Sequence, residues 1–355
     1  MDLETLGWNE FFARQFTEYA NGKHIPARVG SENRGIYLLY TAEYGELRGE
    51  VTGRLRHMAV RRDELPAVGD WVVVNALPDE GKGLIHIVLP RQSKFSRKVA
   101  GLTSEEQILA ANIDTVFLVT SLNRDFNLSR VERYLIMAWE SGASPVILLN
   151  KADLCPDPTP YLRDLEKVAL GVPVIVTSCH TGEGLAELEL YLAKGKTVAL
   201  LGSSGVGKST LVNHLFGEDV LETQATRADD DRGRHTTTTR ELLLLPSGGL
   251  IIDTPGMREL QLWSEEDGLG GTFEDIETLA QGCRFRDCQH TGEPGCAVGS
   301  AIEEGRLDAR RLENYHKLQR ELAYEAARQM YKASVIERNR GKQIAQFTRA
   351  RKKLL

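Results

Sequence analysis

Gly202-Ser-Ser-Gly-Val-Gly-Lys-Ser209 follows the apolar run Thr197-Val-Ala-Leu-Leu201 and precedes Thr210-Leu-Val-Asn-His-Leu-Phe216, whose residues suit a helix. A G-x-x-x-x-G-K-[ST] run between a strand and a helix is a phosphate-binding loop. Its glycines let successive backbone N–H groups curl around an anion, and the helix N-terminus adds a favourable dipole. Gly202, Ser203, Ser204, Gly205, Val206, Gly207, Lys208, Ser209 and Thr210 are therefore the expected nucleotide-binding residues. Lys208 would bridge the β- and γ-phosphates and stabilise the charge of transfer, and the Ser209 hydroxyl would ligate Mg²⁺.

Working outward, short apolar runs alternate with helical segments: Thr115–Val119, Pro145–Leu149, Pro173–Val176, Thr197–Leu201 and Leu250–Ile252. Between the first two, Val131, Tyr134, Leu135, Ala138 and Trp139 form one apolar stripe that stops before Gly142, with Ser129 and Glu132 expected as its capping box. Buried strands alternating with amphipathic helices predict a doubly wound α/β domain with a mostly parallel sheet, its ligands at the carboxyl ends of the strands.

Three of those ends carry chemistry. Asn150-Lys-Ala-Asp153 closes the strand Pro145–Leu149, and the Asp153 carboxylate suits the paired N1 and N2 donors of guanine, which adenine lacks. Asn150, Lys151 and Asp153 are thus expected on the base, with backbone N–H groups of Thr177-Ser178-Cys179 on the guanine O6. Asp253-Thr-Pro-Gly256 ends the strand Leu250–Ile252: Asp253 fits the acid that holds Mg²⁺ through water, and the Gly256 amide can reach a γ-phosphate. Between these motifs, Gly233-Arg-His-Thr-Thr-Thr-Thr239 suits a switch whose threonine completes the Mg²⁺ shell; Thr237 or Thr238 can serve, and Thr237 is taken. Met257 stands where many GTPases place a water-orienting glutamine, so slow intrinsic hydrolysis is expected. His235 either positions that water or is a surface imidazole.

The order of these motifs is permuted. N-K-x-D and T-S-C come before the phosphate loop, the threonines and D-T-P-G, whereas GTPases normally begin with the loop. Joining old termini and cutting elsewhere keeps every contact in the sheet. The segment after Asp253 then leads directly into the C-terminal part of the chain, which loss of a γ-phosphate could reposition.

Two flanking regions differ in kind. Gly35–Tyr40, Gly49–Leu55, Asp70–Val74 and Leu84–Leu89 read as short strands separated by turn signals, a small OB-like β-barrel with basic stretches at Arg54, Arg56, His57, Arg61 and Arg62 and again at Arg91, Lys94, Arg97 and Lys98. Downstream, Cys283-x4-Cys288-x-His290-x5-Cys296 offers three thiols and one imidazole, a tetrahedral set for one structural Zn²⁺. Leu312, Tyr315, Leu318 and Leu322 then fall at helical spacing. The expected organisation is an extension (1–33), the barrel (34–98), a permuted GTPase domain (99–265), a zinc-binding helical domain (266–335) and a basic tail (336–355).

The chain has 355 residues, 41% of them hydrophobic, and a formal net charge of −6, which excludes collagen-like and largely disordered classes. No apolar run approaches a membrane span and five cysteines are too few for a disulfide scaffold, so a cytoplasmic, soluble protein is expected. From Arg306 onward 14 Lys and Arg face 5 Asp and Glu, a basic arm on an acidic body that suits a polyanionic partner. Nothing suggests a heptad or an obligate dimer interface, and a monomer is expected.

Barrel, permuted GTPase motifs and Cys3His spacing together resemble the ribosome-small-subunit-dependent GTPase family (RsgA/YjeQ type) over about residues 35–330. The resemblance implies a GTP hydrolase that binds the 30S subunit and its 16S rRNA late in maturation, is stimulated by the subunit, and leaves in the GDP state. It also implies a hydrophobic residue at Met257 and a catalytic candidate in His235. The competing readings are a GTP-gated switch on another RNA, such as tRNA or mRNA, a binding module with a degenerate GTPase domain, and, weakest, an ATPase.

Overall fold

Strands whose residues are apolar on both faces can be covered only by helices, and that constraint builds the central sheet. In the computed structural model, which describes residues 1–20, 22–98, 106–123, 125–221, 240–253 and 266–324, all seven residues of the strand Thr115–Ser121 are buried. Two compact units are formed, one holding the N-terminal barrel with the α/β sheet, the other the C-terminal helices.

In chain order the first unit contains α1 (Glu10–Phe16), β1 (Ile25–Asn33), β2 (Ile36–Thr41), β3 (Gly45–Val51), α2 (Gly53–Met58), β4 (Trp71–Leu77) and β5 (Lys82–Val88). A two-stranded ribbon follows, β6 (Lys94–Lys98) with β7 (Glu106–Ala111). Then come β8 (Thr115–Ser121), α3 (Leu128–Ser141), β9 (Ser144–Asn150), α4 (Thr159–Val168), β10 (Val174–Val176), β11 (Thr197–Leu201), α5 (Lys208–Phe216), β12 (Glu241–Leu244) and β13 (Leu250–Asp253). The α/β part runs β10-β9-β8-β11-β13-β12, parallel except for the last strand. Its core gathers Phe117, Val146, Leu148, Val198, Ile251, Leu211 and Val212. All five strands expected from the apolar runs are present; the antiparallel β12 is an addition.

The barrel closes in the order β1-β2-β3-β5-β4, with β4 returning to β1 and only β3–β5 parallel, the OB arrangement. Its first strand, β1, lies within residues 1–33, ahead of the expected start of the barrel. Val72 and Val74 point into the barrel core with Leu39 and Ile85, while Trp71 and Val73 pack outward on Leu6 and Phe12. Trp8 meets Trp71 edge-on at 4.7 Å, so the N-terminal segment covers the barrel wall. The expected strand Gly49–Leu55 stops at Val51, because Thr52 Oγ1 accepts from the Leu55 N–H and caps α2. Likewise α3 is capped by Asn127, whose Oδ1 accepts from the Arg130 N–H, and not by Ser129, which lies inside the first turn; Glu132 is buried instead of closing a capping box.

Barrel and α/β sheet are one hydrogen-bonded surface of 11 strands, joined where Ser31 of β1 opposes Glu241 of β12. Behind that seam Arg28 is buried to 1% exposure and donates only to backbone carbonyls: Leu6, Gly69 at 3.3 Å and Asn112 at 3.0 Å. Burial pulls its guanidinium down to about 10, opposed by the charges of Asp114 and Asp70, so it stays a cation at neutral pH.

The second unit carries α6 (Glu266–Thr272), α7 (Glu274–Ala280), α8 (Ala297–Glu303) and a last helix, α9, over 309–324. Leu312, Tyr315, Leu318 and Leu322 are buried on α9 as their spacing implied. Arg311 grips Asp275 through Nε and Nη2 at 2.6 and 2.7 Å and lies over the Phe273 ring.

Replacing Arg28 by Met leaves the buried Leu6 and Asn112 carbonyls without that donor, while the Gly69 carbonyl keeps the Asn112 Nδ2 amide at 3.1 Å, and the expected loss is about 3 kcal/mol of unfolding free energy. Denaturant melts of the two proteins check this; a loss below about 1 kcal/mol contradicts the structural role given to Arg28.

Candidate functional site

The phosphate-type loop leaves β11 at Leu201 and enters α5 at Lys208. Two glycines are required there. A Cβ on Gly202 would stand 2.4 Å from the Val119 carbonyl, and one on Gly207, whose φ is +103°, would stand 2.3 Å from Asn150 Nδ2. Lys208 Nζ folds back to donate to the carbonyls of Gly202 and Ser203 at 2.8 and 2.6 Å. Ser203 Oγ donates to Asp125 Oδ2 at 2.6 Å, a partner 78 residues away that lies outside every motif.

The Asn150-Lys-Ala-Asp153 corner is brought to this loop although its strand, β9, is separated from β11 by β8. Asn150 is 3% exposed; its Nδ2 donates to the Val206 carbonyl at 2.8 Å, and its Oδ1 accepts from Thr177 Oγ1 at 3.4 Å. Lys151, at φ +65°, extends across the loop and donates from Nζ to the Gly205 carbonyl at 2.6 Å. Asp153 is exposed, and its Oδ1 accepts from Ser178 Oγ at 2.6 Å.

The segment after β10 is tightly committed. Thr177 N–H donates to Leu149 O and Ser178 N–H to Glu183 O, while Ser178 Oγ accepts from the N–H groups of His180 and Thr181. Ser178 therefore orients Asp153, and of the two residues Ser178 and Cys179 only the second keeps its backbone donor outside that ladder. Burial, with the charge of Asp153, pushes the Cys179 thiol up to about 11, so it is neutral near pH 7.

Asp253 ends β13, the parallel neighbour of β11, opposite Glu241 of β12. Burial pushes its carboxyl up and the charge of Lys208 pulls it back, which places the acid in the field of the loop's cation. Ser209 lies in the first turn of α5, one residue after Lys208, and Thr210 is exposed beside it. His235, Thr237, Thr238, Gly256 and Met257 lie outside the described residues.

In the C-terminal unit Cys283, Cys288, His290 and Cys296 converge, their ligand atoms all within 4.8 Å of one another. His290 Nδ1 stands 3.7 Å from Cys283 Sγ and 3.5 Å from Cys296 Sγ. Two sulfurs are also oriented by backbone donors, Cys283 by the Ala297 N–H at 3.3 Å and Cys296 by the Gly299 N–H at 3.2 Å. This cluster can hold one metal ion. Cys155, whose Sγ faces the Asp157 carbonyl, lies apart from it.

Against known proteins, the profile of the RsgA GTPase family matches residues 88–263. A protein from Opitutus terrae named small ribosomal subunit biogenesis GTPase RsgA is 48% identical over 363 residues, covering 100% of this chain and 99% of its own length. The chain belongs to the RsgA GTPase family. The crystal structure of YjeQ from Thermotoga maritima is 30% identical with a TM-score of 0.63, covering 84% of this chain and 99% of that one. A structure described as YloQ, a circularly permuted GTPase, shares the fold at a TM-score of 0.61 and 24% identity, over 86% of this chain and 98% of its own. The family membership and the permuted fold agree with the motif order. No helix among the described residues is long and apolar enough to cross a membrane.

Ser178 as the support of Asp153, and Asp125 as the partner of Ser203, were not singled out for those contacts by the sequence. A T-S-C triplet after a strand hints at the first; no local signal gives the second.

Substituting Gly207 by Ala strains a left-handed residue and drives a methyl into Asn150, so the Asn150–Val206 bond cannot survive unchanged. The expected cost is about 2 kcal/mol, read as a lower thermal midpoint. An unaltered midpoint contradicts the close approach of loop and corner.

Proposed function

We propose that this chain is a Mg²⁺-dependent GTP hydrolase that binds the small (30S) ribosomal subunit, through its 16S rRNA, and assists late maturation of that subunit. The observation that carries the nucleotide part is the direct hydrogen bonding of the Asn150 corner to the Gly202–Ser209 loop, which sets a base-reading carboxylate and a phosphate cradle at a fixed separation. Family membership and the names of the relatives, small ribosomal subunit biogenesis GTPase, carry the partner.

In this reading Asp153 accepts from the guanine N1 and N2 groups, oriented by Ser178, and the Cys179 N–H serves the O6. Lys151 covers the base side of the pocket and closes it onto Gly205. Gly202, Ser203, Ser204, Gly205, Val206, Gly207, Lys208, Ser209 and Thr210 surround the phosphates, and Lys208 leaves its two loop carbonyls for the β- and γ-oxygens. Ser209 and Asp253, with Thr237 from the switch, form a hard oxygen set suited to Mg²⁺, whose charge would offset the burial that raises the Asp253 carboxyl. That ion, when bound, neutralises charge on the transferring phosphoryl group. Gly256 reaches the γ-phosphate, Met257 cannot orient water, and His235 is the residue left to do so, so the subunit is expected to raise a slow basal rate and the GDP state to release the protein. Intact Lys208, Ser209, Asp253 and Asp153 favour this reading over a degenerate domain; the alternative partner is a non-ribosomal RNA.

The Cys3His set is proposed to hold one structural Zn²⁺. Tetrahedral zinc with its usual bond lengths separates sulfur and nitrogen ligands by roughly 3.6 Å, and the sulfur–nitrogen distances given above for His290 match that spacing. All four positions are taken by protein, so the ion serves folding of this unit.

GTP turnover measured alone, with stoichiometric small subunits and with large subunits tests the function. Stimulation by small subunits only is expected, and Ser209→Ala is expected to abolish it; GTP binding without stimulation by small subunits would move the partner to another RNA. Metal analysis of the purified chain is expected to return one zinc per molecule. Cys288→Ser is expected to lower that content and the melting temperature of the C-terminal unit, and full stability after complete zinc removal by a chelator contradicts a folding role.

A further inference from the structure

The phosphate loop is held from the side by the carboxylate of Asp125. Asp125 lies between β8 and α3. Before it, Asn123 Oδ1 accepts from Ser121 Oγ at 2.8 Å and from the Asp125 N–H at 2.9 Å. After it, the Phe126 N–H donates to Asn123 O at 3.0 Å, and the Phe126 ring meets Tyr161 edge-on at 4.9 Å. Arg130, in the first turn of α3, donates from Nη1 to Asp125 Oδ2 at 2.8 Å and to the Asp125 carbonyl at 3.4 Å. The same Oδ2 takes the proton of Ser203 Oγ at 2.6 Å. Ser203 in turn holds Lys208 Nζ through its carbonyl at 2.6 Å. The contacts thus run without a break from Arg130 through Asp125 and Ser203 to Lys208.

Stability does not explain this arrangement. The Asp125 and Arg130 side chains are 41% and 33% exposed, and ion pairs so open to water add little to folding. A carboxylate beside a phosphate site is also unfavourable by itself, because like charges repel. Here Arg130 offsets that charge, and the Ser203 bond first, then Arg130, holds the Asp125 carboxyl below the usual range, so it is an ionised acceptor at neutral pH.

We propose that Asp125, clamped by Arg130, is a positioning residue for the nucleotide: it fixes the Ser203 end of the loop so that the backbone N–H groups after it face the phosphates before they arrive. The proposal rests on the guanine-nucleotide reading of the same site. Pre-ordering a loop lowers the entropy lost on binding, so its removal weakens GDP and GTP alike. A hydrogen bond to a charged group accounts for a change of about tenfold.

The experiment is equilibrium binding of fluorescent GDP and of a non-hydrolysable GTP analogue to the full chain, with thermal melts as a folding control. Asp125→Ala is expected to weaken both ligands by about tenfold, and Asp125→Asn, which keeps an oxygen acceptor for Ser203, by no more than about threefold. Ser203→Ala is expected to match Asp125→Ala, and the double variant to be no weaker than either single one, since all three lose one bond. Rescue by Asn and this non-additivity separate positioning from general destabilisation. Wild-type binding with Asp125→Ala within about twofold of it, or fully additive losses in the double variant, overturns the positioning role and leaves the guanine-nucleotide reading intact. Absence of binding by the wild-type chain overturns both.

Discussion

The hydrogen bond from Asn150 Nδ2 to the Val206 carbonyl is the constraint on which the site depends. It joins the end of β9 to the loop after β11 across the intervening β8, and it is buried, so neither partner can turn to water without cost. Gly207 has to be glycine because Asn150 occupies the space a side chain would need. Lys151 then lies over Gly205, Thr177 holds the other side of the Asn150 amide, and Ser178 aims Asp153. One amide thus determines the distance between the Asp153 carboxylate and the glycine-rich loop. The permuted chain order does not matter to it, because the sheet places β8, β9 and β11 side by side whatever their order in sequence.

A second constraint ties the barrel to the same sheet. β12 pairs with β13 on one side and β1 on the other, so Glu241 faces Asp253 across one ladder and Ser31 across the next. Tyr40 of the barrel donates its hydroxyl to the Leu242 carbonyl at 3.4 Å, and burial pushes that phenol up to about 12, keeping it a donor. The buried guanidinium of Arg28 then locks Leu6, Gly69 and Asn112 around the seam. A small barrel that shares strands and a buried cation with its neighbour has far less freedom than one joined by a linker.

What was legible in the sequence follows from how local each signal is. Short apolar runs rich in Val, Ile and Leu and bounded by turn signals read as covered strands, so β8, β9, β10, β11 and β13 were readable, as was the Cys3His set from spacing within one loop. The strand β1 was not, because Ile25-Pro-Ala-Arg-Val-Gly-Ser-Glu-Asn33 carries a proline, a glycine and a charge where a strand pattern expects apolar residues. Arg28 is tolerated there only because three distant carbonyls receive it. β12 is short and sits between the two parts of the chain, so its pairing is a tertiary fact. The capping box expected at Ser129 and Glu132 gives way to Asn127, because polar side chains stand at both 127 and 129 near the helix start and only the backbone geometry separates them.

The same distinction applies within the site. Motifs name residues that touch a ligand, since ligand chemistry fixes their type and spacing. Residues that hold those in place answer only to the local packing, and their type is set by whatever atom they must meet. Ser178 meets a carboxylate through its hydroxyl, and Asp125 meets a hydroxyl through its carboxylate. Each does its work on another side chain of the protein. A loop of glycines has few internal contacts with which to keep its shape, so its order has to be supplied from outside, by Asn150 at one end and by Ser203 and its partner at the other.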